Sequence, residues 1–172
     1  PLPEALRGRA KSGKQATTPF GHAFDLLASS KGELERAIIL RKGGSDTASL
    51  EISAPAERII LLHGSTMEGV YYRPSWNSYH RGPARILECA VEYADGRTAG
   101  FCSRYGDDIG PLTGTWQRGR PVSCFRSVPV TIGEHTFYAQ EWTNPRPKVK
   151  VRRLLLRLGP DATEKGELLV IA

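Results

Sequence analysis

Hydrophobic and polar positions alternate most regularly between Ile86 and Tyr105. Leu87, Cys89, Val91 and Tyr93 are interleaved with Glu88, Ala90 and Glu92, the period-two pattern of a strand with one buried face. Asp95-Gly96 marks a turn, and Ala99, Phe101, Ser103 and Tyr105 continue one face of a return strand. Burial decides the register. A two-residue Asp95-Gly96 loop would pair Cys89 with Cys102 and Val91 with Gly100. A three-residue loop, Ala94-Asp95-Gly96 with Gly96 in the left-handed bulge position, pairs Cys89 with Phe101 and Val91 with Ala99. The second choice gathers Leu87, Cys89, Val91, Tyr93, Ala99, Phe101 and Tyr105 on one face; the first brings Thr98, Gly100 and Arg104 there. A one-residue slip turns every side chain over, so the three-residue loop is expected. It also sends Cys89 and Cys102 to opposite faces, which argues against a disulfide between them.

Short extended segments recur along the chain: Phe20–Leu27, Ala37–Arg41, Thr47–Ser53, Glu57–His63, Ala84–Tyr93, Thr98–Tyr105, Thr136–Thr143, Lys148–Leu158 and Glu167–Ala172. Lys42-Gly43-Gly44-Ser45-Asp46, Ala54-Pro55, Asn144-Pro145 and Gly159-Pro160-Asp161 punctuate them. Lys31–Leu40 has the makings of a helical turn, but Ala37-Ile38-Ile39-Leu40 fits a buried strand better. No amphipathic helix stands out, so the chain reads as all-β, a two-sheet antiparallel β-sandwich. Residues 1–19 are polar, basic and rich in turn formers, and read as an arm; residues 20–172 read as a single domain. Two longer connections interrupt the rhythm. Residues 64–83 hold Tyr71, Tyr72, Trp76 and Tyr79, and residues 106–129 hold Asp107, Asp108 and Trp116. Long loops on a rigid β scaffold are where binding residues concentrate.

Charge adds one candidate. The formal net charge is +6, and Arg146, Lys148, Lys150, Arg152, Arg153 and Arg157 crowd the last third of the chain. They read either as a solvated strand face protecting a sheet edge or as a surface for an anionic polysaccharide or nucleic acid. Their spacers, Val149, Val151, Leu154 and Leu155, include no aromatic, which removes base stacking and counts against nucleic acid. No apolar run is long enough for a membrane helix. The chain begins at Pro1 with no signal-peptide pattern and reads as an excised or processed fragment. The three cysteines, Cys89, Cys102 and Cys124, have neither CxxC nor metal-ligand spacing. Cys89 reads as a buried hydrophobe, and one disulfide stays open.

Leu61-Leu62-His63-Gly64-Ser65, Val91-Glu92-Tyr93-Ala94-Asp95-Gly96, Arg104-Tyr105-Gly106-Asp107-Asp108-Ile109-Gly110 and Glu141-Trp142-Thr143-Asn144-Pro145 follow in that order. Together they resemble a carbohydrate-binding-module-like jelly roll of the galactose-binding-domain-like superfamily, as appended to bacterial glycoside hydrolases and surface proteins. The resemblance spans residues 20–172. It implies a non-catalytic accessory module, extracellular or at the cell surface or periplasm, with neighbouring domains and a polysaccharide or oligosaccharide, an anionic one included, as partners. Members of such families often carry a tryptophan pair after the glycine-rich loop; here Trp116 stands alone after Pro111-Leu112-Thr113-Gly114-Thr115. Related folds often hold a structural calcium, but calcium takes about six to eight oxygens and Asp107-Asp108 is too little, so no cofactor or metal is expected.

A sugar offers apolar C–H faces and fixed hydroxyls, so its site needs an aromatic platform and a few convergent polar groups. Tyr72, Trp76, Tyr79, Arg104, Asp107 and Trp116 supply these and are the candidate ligand-binding residues. Trp76 is an exposed platform or a plug at one end of the sandwich, and Trp116 favours exposure. Trp142 reads as core. Arg104 and Asp107 form a clamp for hydroxyls or a surface ion pair. Catalysis finds less support. His22, His63, His80 and His135 are scattered without HxH or HExxH spacing, His63-Gly64-Ser65 lacks a G-x-S-x-G elbow, and no glycine motif for phosphate appears. Glu88, Glu92 and Glu141 are the carboxylates available for a glycosidase pair, yet Glu88 and Glu92 fall on the polar face of a strand.

Overall fold

The computed structural model describes residues 37–67, 70, 84–113, 126–131 and 135–171, with the backbone alone of 16–17, 23–24, 116–117, 120–121 and 132. In chain order the strands are β1 (Ala16–Thr17), β2 (Ala23–Phe24), β3 (Ala37–Leu40), β4 (Thr47–Ala54), β5 (Arg58–Ser65), β6 (Arg85–Tyr93), β7 (Thr98–Arg104), β8 (Trp116–Gln117), β9 (Arg120–Pro121), β10 (Ser127–Ile132), β11 (His135–Thr143), β12 (Val151–Leu158) and β13 (Leu168–Ile171). They build a five-stranded sheet, β10-β11-β5-β13-β3, and a four-stranded sheet, β4-β12-β6-β7. β1 pairs with β2 and β8 with β9 as separate ribbons. The fold is an all-β sandwich of two antiparallel sheets, compatible with a jelly roll. The β1–β2 ribbon straddles the expected boundary between arm and domain; the rest of that region lies outside the described residues.

The hairpin forms in the register that burial selects. Cys89 faces Phe101 and Val91 faces Ala99, and Gly96 sits at φ +81°, where a side chain is disfavoured. Leu87, Cys89, Val91 and Tyr93 are buried, and Glu88, Ala90 and Glu92 face out. Cys89 and Cys102 are free thiols; Cys124 lies outside the described residues. β12 repeats the logic: Leu154 and Leu156 enter the core while Arg153, Leu155 and Arg157 face out. Opposite them, Ile59 and Leu61 of β5 with Leu168 and Val170 of β13 close the space between the sheets. Each such side chain contributes roughly 1.5–3 kcal/mol of burial.

Three features depart from the sequence pattern. The basic strand β12 is central, bonded to β4 and β6, so its arginines protect no edge. The expected connection 106–129 takes in the first half of β10, yet β10 pairs along β11 as an edge strand, where Pro129's missing N–H is tolerated. The five-stranded sheet is apolar on both faces. Its outward side carries Leu62, Val130, Phe137, Ala139 and Leu169 in a second buried cluster with Leu112. This is why β5 reads as a continuous apolar run, a pattern of strands buried on both sides.

The two ends of the sandwich differ. At one, the turns 55–57, 94–97 and 144–150 are short and cross-linked. Asn144 accepts from the Tyr93 hydroxyl at 2.5 Å and from the Arg146 N–H at 2.9 Å, and its amide donates to the Ala56 carbonyl at 2.7 Å. Arg146 lies 4.7 Å from the Tyr93 ring and pairs with Asp95, holding the Asp95 carboxyl down at about 2. Both long connections leave from the other end.

Candidate functional site

β5 ends at Ser65, β6 begins at Arg85 and β7 ends at Arg104 beside it, since Arg85 and Arg104 pair. The chain then tightens into a turn, with the amides of Asp107, Asp108 and Ile109 all directed at the Arg104 carbonyl, at 3.1, 2.9 and 3.3 Å. Gly106, at φ +88°, lets the backbone reverse and donates to the Ile109 carbonyl. The buried Asp108 carboxylate accepts the Arg104 amide at 2.9 Å. Burial raises the Asp108 pKa, a shift opposed by that bond and by the charges of Arg126 and Arg104.

This turn anchors both long connections. Residues 66–84 return to it through the Tyr105 amide, which donates to Ala84 at 2.8 Å. Residues 105–126 start from it and close on it, the Arg126 amide donating to Asp107 at 2.8 Å. Between these points the chain adds a parallel bridge to β5 at Ser65–Pro111. Leu112 lies over Gly64, where an added Cβ would fall 2.4 Å from its methyl. A side chain larger than hydrogen at position 64 would lift the connection off the sheet.

Beneath the turn lies a polar interior. His63 is fully buried between the sheets, with Nε2 3.1 Å from the Asp108 carbonyl. A carbonyl only accepts, so Nε2 carries the proton and Nδ1 is the bare acceptor; among the described residues Nδ1 has no hydrogen-bond partner. Burial lowers the His63 pKa to about 4, the bond to Asp108 opposing the shift, which keeps the ring neutral at neutral pH. Ser103 donates to Gln140 at 2.6 Å across the sheets, and Gln140 donates to the Cys102 carbonyl at 3.1 Å. No motif in the sequence marks Asp108, Ser103 and Gln140 as a group. Their signal was present as polar residues at inward positions: Ser103 between Phe101 and Tyr105, Gln140 between Tyr138 and Trp142.

Of the expected ligand-binding residues, Arg104 and Asp107 stand three apart on the turn, half-buried, and among the described ion pairs they do not pair with each other. Trp116 is described only by its backbone, which pairs with Pro121 in the β8–β9 ribbon. Tyr72, Trp76 and Tyr79 lie outside the described residues. Trp142 is half-buried against the core and stacks on Phe101, centroids 5.0 Å apart. Among the described residues no three His, Cys, Asp or Glu side chains gather as metal ligands. Compared with protein-family models, curated proteins and solved structures, the chain finds no match.

Proposed function

We propose that the chain is a non-catalytic carbohydrate-binding module with a galactose-binding-domain-like jelly roll, an accessory domain of a larger bacterial extracellular protein. The observation that carries the reading is the shared anchorage of both long connections, one with Tyr72, Trp76 and Tyr79 and the other with Trp116, on the turn that bears Arg104 and Asp107. A rigid turn at the root of two long loops can hold donors and acceptors in a fixed plane beside aromatic platforms, which is what a sugar requires. The best-placed catalytic candidates are otherwise engaged. Arg153 and Arg152 hold Glu92 and lower its pKa, Arg157 holds Glu88, and His63 is sealed in the core.

A glycan array followed by affinity electrophoresis tests the reading. Binding should weaken about tenfold in Trp76→Ala or Trp116→Ala, the loss of one aromatic platform, and also in Asp107→Ala. No binding across a broad set of neutral and acidic glycans would overturn it in favour of a domain that packs against a neighbouring module.

A further inference from the structure

The outward face of the four-stranded sheet is ordered in rows that run across its strands. Register sets Ser49, Leu155, Ala90 and Gly100 side by side. Thr47, Arg157, Glu88 and Cys102 form the row on one side, and Glu51, Arg153, Glu92 and Thr98 the row on the other. Short and apolar side chains thus floor a trough between two charged walls. A depression of about 650 Å³ occupies the Arg157 side, lined in part by Thr47, Glu88, Ala90, Gly100, Cys102 and Arg157.

In each wall one glutamate holds two arginines. Glu88 takes Arg157 and, at 3.9 Å, Arg85; Glu92 takes Arg152 at 3.0 Å and Arg153 at 2.6 Å. Neighbours on a regular strand point to opposite faces, but a bulge between Val151 and Arg153 inserts Arg152 as an extra residue, so both guanidinium groups reach one carboxylate. The glutamate side chains are only 15% and 27% exposed, against 60% for Arg152 and 67% for Arg157. A partner therefore meets guanidinium groups first, already oriented and with N–H donors to spare. Glu51 on β4 and Asp46 near Arg157 temper this charge at the β4 edge.

We propose that this trough is a second binding site, for an acidic polysaccharide laid across the strands. Sugar C–H faces rest on Leu155, Ala90 and Gly100, and carboxylate or sulfate groups meet the arginines of the walls, four residues or roughly 13 Å apart along a strand. A peptide laid there would set its backbone N–H and C=O groups against an apolar floor without partners. A single nucleic-acid strand would find no aromatic to stack on in the three rows; Phe101 also lines the depression, but its ring is packed against the core and stacked on Trp142. The site stands on the sheet face and does not depend on the loop-end reading.

Titration calorimetry with polygalacturonate and dextran sulfate, against neutral dextran and oligo-dT, tests it at low and high salt. Both acidic polysaccharides should bind, less tightly at high salt, and neutral dextran should not bind at this face. An Arg152→Gln/Arg157→Gln double variant should bind about tenfold more weakly, and Ala90→Glu should abolish binding. In a Cys124→Ser background, polygalacturonate should slow alkylation of Cys102, which reports occupancy without any change to the walls. Circular dichroism confirms that each variant is folded. The proposal fails if neither acidic polymer binds, if Ala90→Glu binds like the parent, or if oligo-dT competes with equal affinity. Loss of binding in Trp116→Ala alone would overturn this site and favour the loop end.

Discussion

Acidification should destabilise the fold through His63 before most carboxylates titrate. Burial lowers its pKa from 6.5 to about 4, a gap worth roughly 3 kcal/mol at about 1.4 kcal/mol per unit. The cause is burial: a second proton, on Nδ1, would sit in the core with no acceptor among the described residues, and the bond from Nε2–H to the Asp108 carbonyl offsets only part of that cost. Between the two values an unfolded imidazole binds a proton that the folded one refuses, so protons favour unfolding. The His63 contribution is whole above pH 6.5, falls as the pH drops towards about 4, and levels off below it. Urea unfolding of the parent and of His63→Gln, at several pH values between about 7.5 and 4.5, isolates it. Glutamine can still donate to Asp108 but does not titrate. The parent-minus-variant stability should shrink by about 2–3 kcal/mol over that range, while carboxylates common to both proteins cancel. A difference that stays flat across the range would refute the reasoning, since it would mean that the folded ring binds protons as readily as the unfolded one.

Asn144→Ala strands the Tyr93 hydroxyl, the Ala56 carbonyl and the Arg146 amide at once and should cost about 2–4 kcal/mol by urea unfolding. Two glycines should respond differently to alanine. Gly159→Ala drives a Cβ to 2.2 Å from the Arg85 carbonyl oxygen and should cost about 3 kcal/mol or more, whereas Gly96→Ala meets open space at φ +81° and should cost only about 1 kcal/mol. In a Cys124→Ser background, thiol titration should find Cys102 reactive in the native state. Cys89, whose pKa burial raises, should react only after denaturation; equal native rates would contradict its burial.

The hairpin was legible because two local signals agree. Period-two alternation in Leu87–Tyr93 and a glycine that tolerates positive φ at Gly96 select one register out of two. Most strands were legible for the same reason, each carrying its pattern and its punctuation locally. β10 was not, because Pro129 imitates a loop signal until its place at a sheet edge is known. Arg104, at a strand end, and Asp107, in the loop after it, could be named from the sequence, but not the anchorage of that turn to Ala84 and Arg126, which depends on hydrogen bonds between residues distant in sequence.

By itself the sequence determined the all-β class, the hairpin register and the inward face of β6, all of which rest on alternation within a few residues. Tertiary structure alone decided who stands beside whom. It put β12 in the middle of its sheet, so that a run of basic residues became two arginine walls over half-buried glutamates. It also sealed His63 between the sheets rather than at a surface. Neighbourhood across strands is set by topology, and topology leaves no period in the chain.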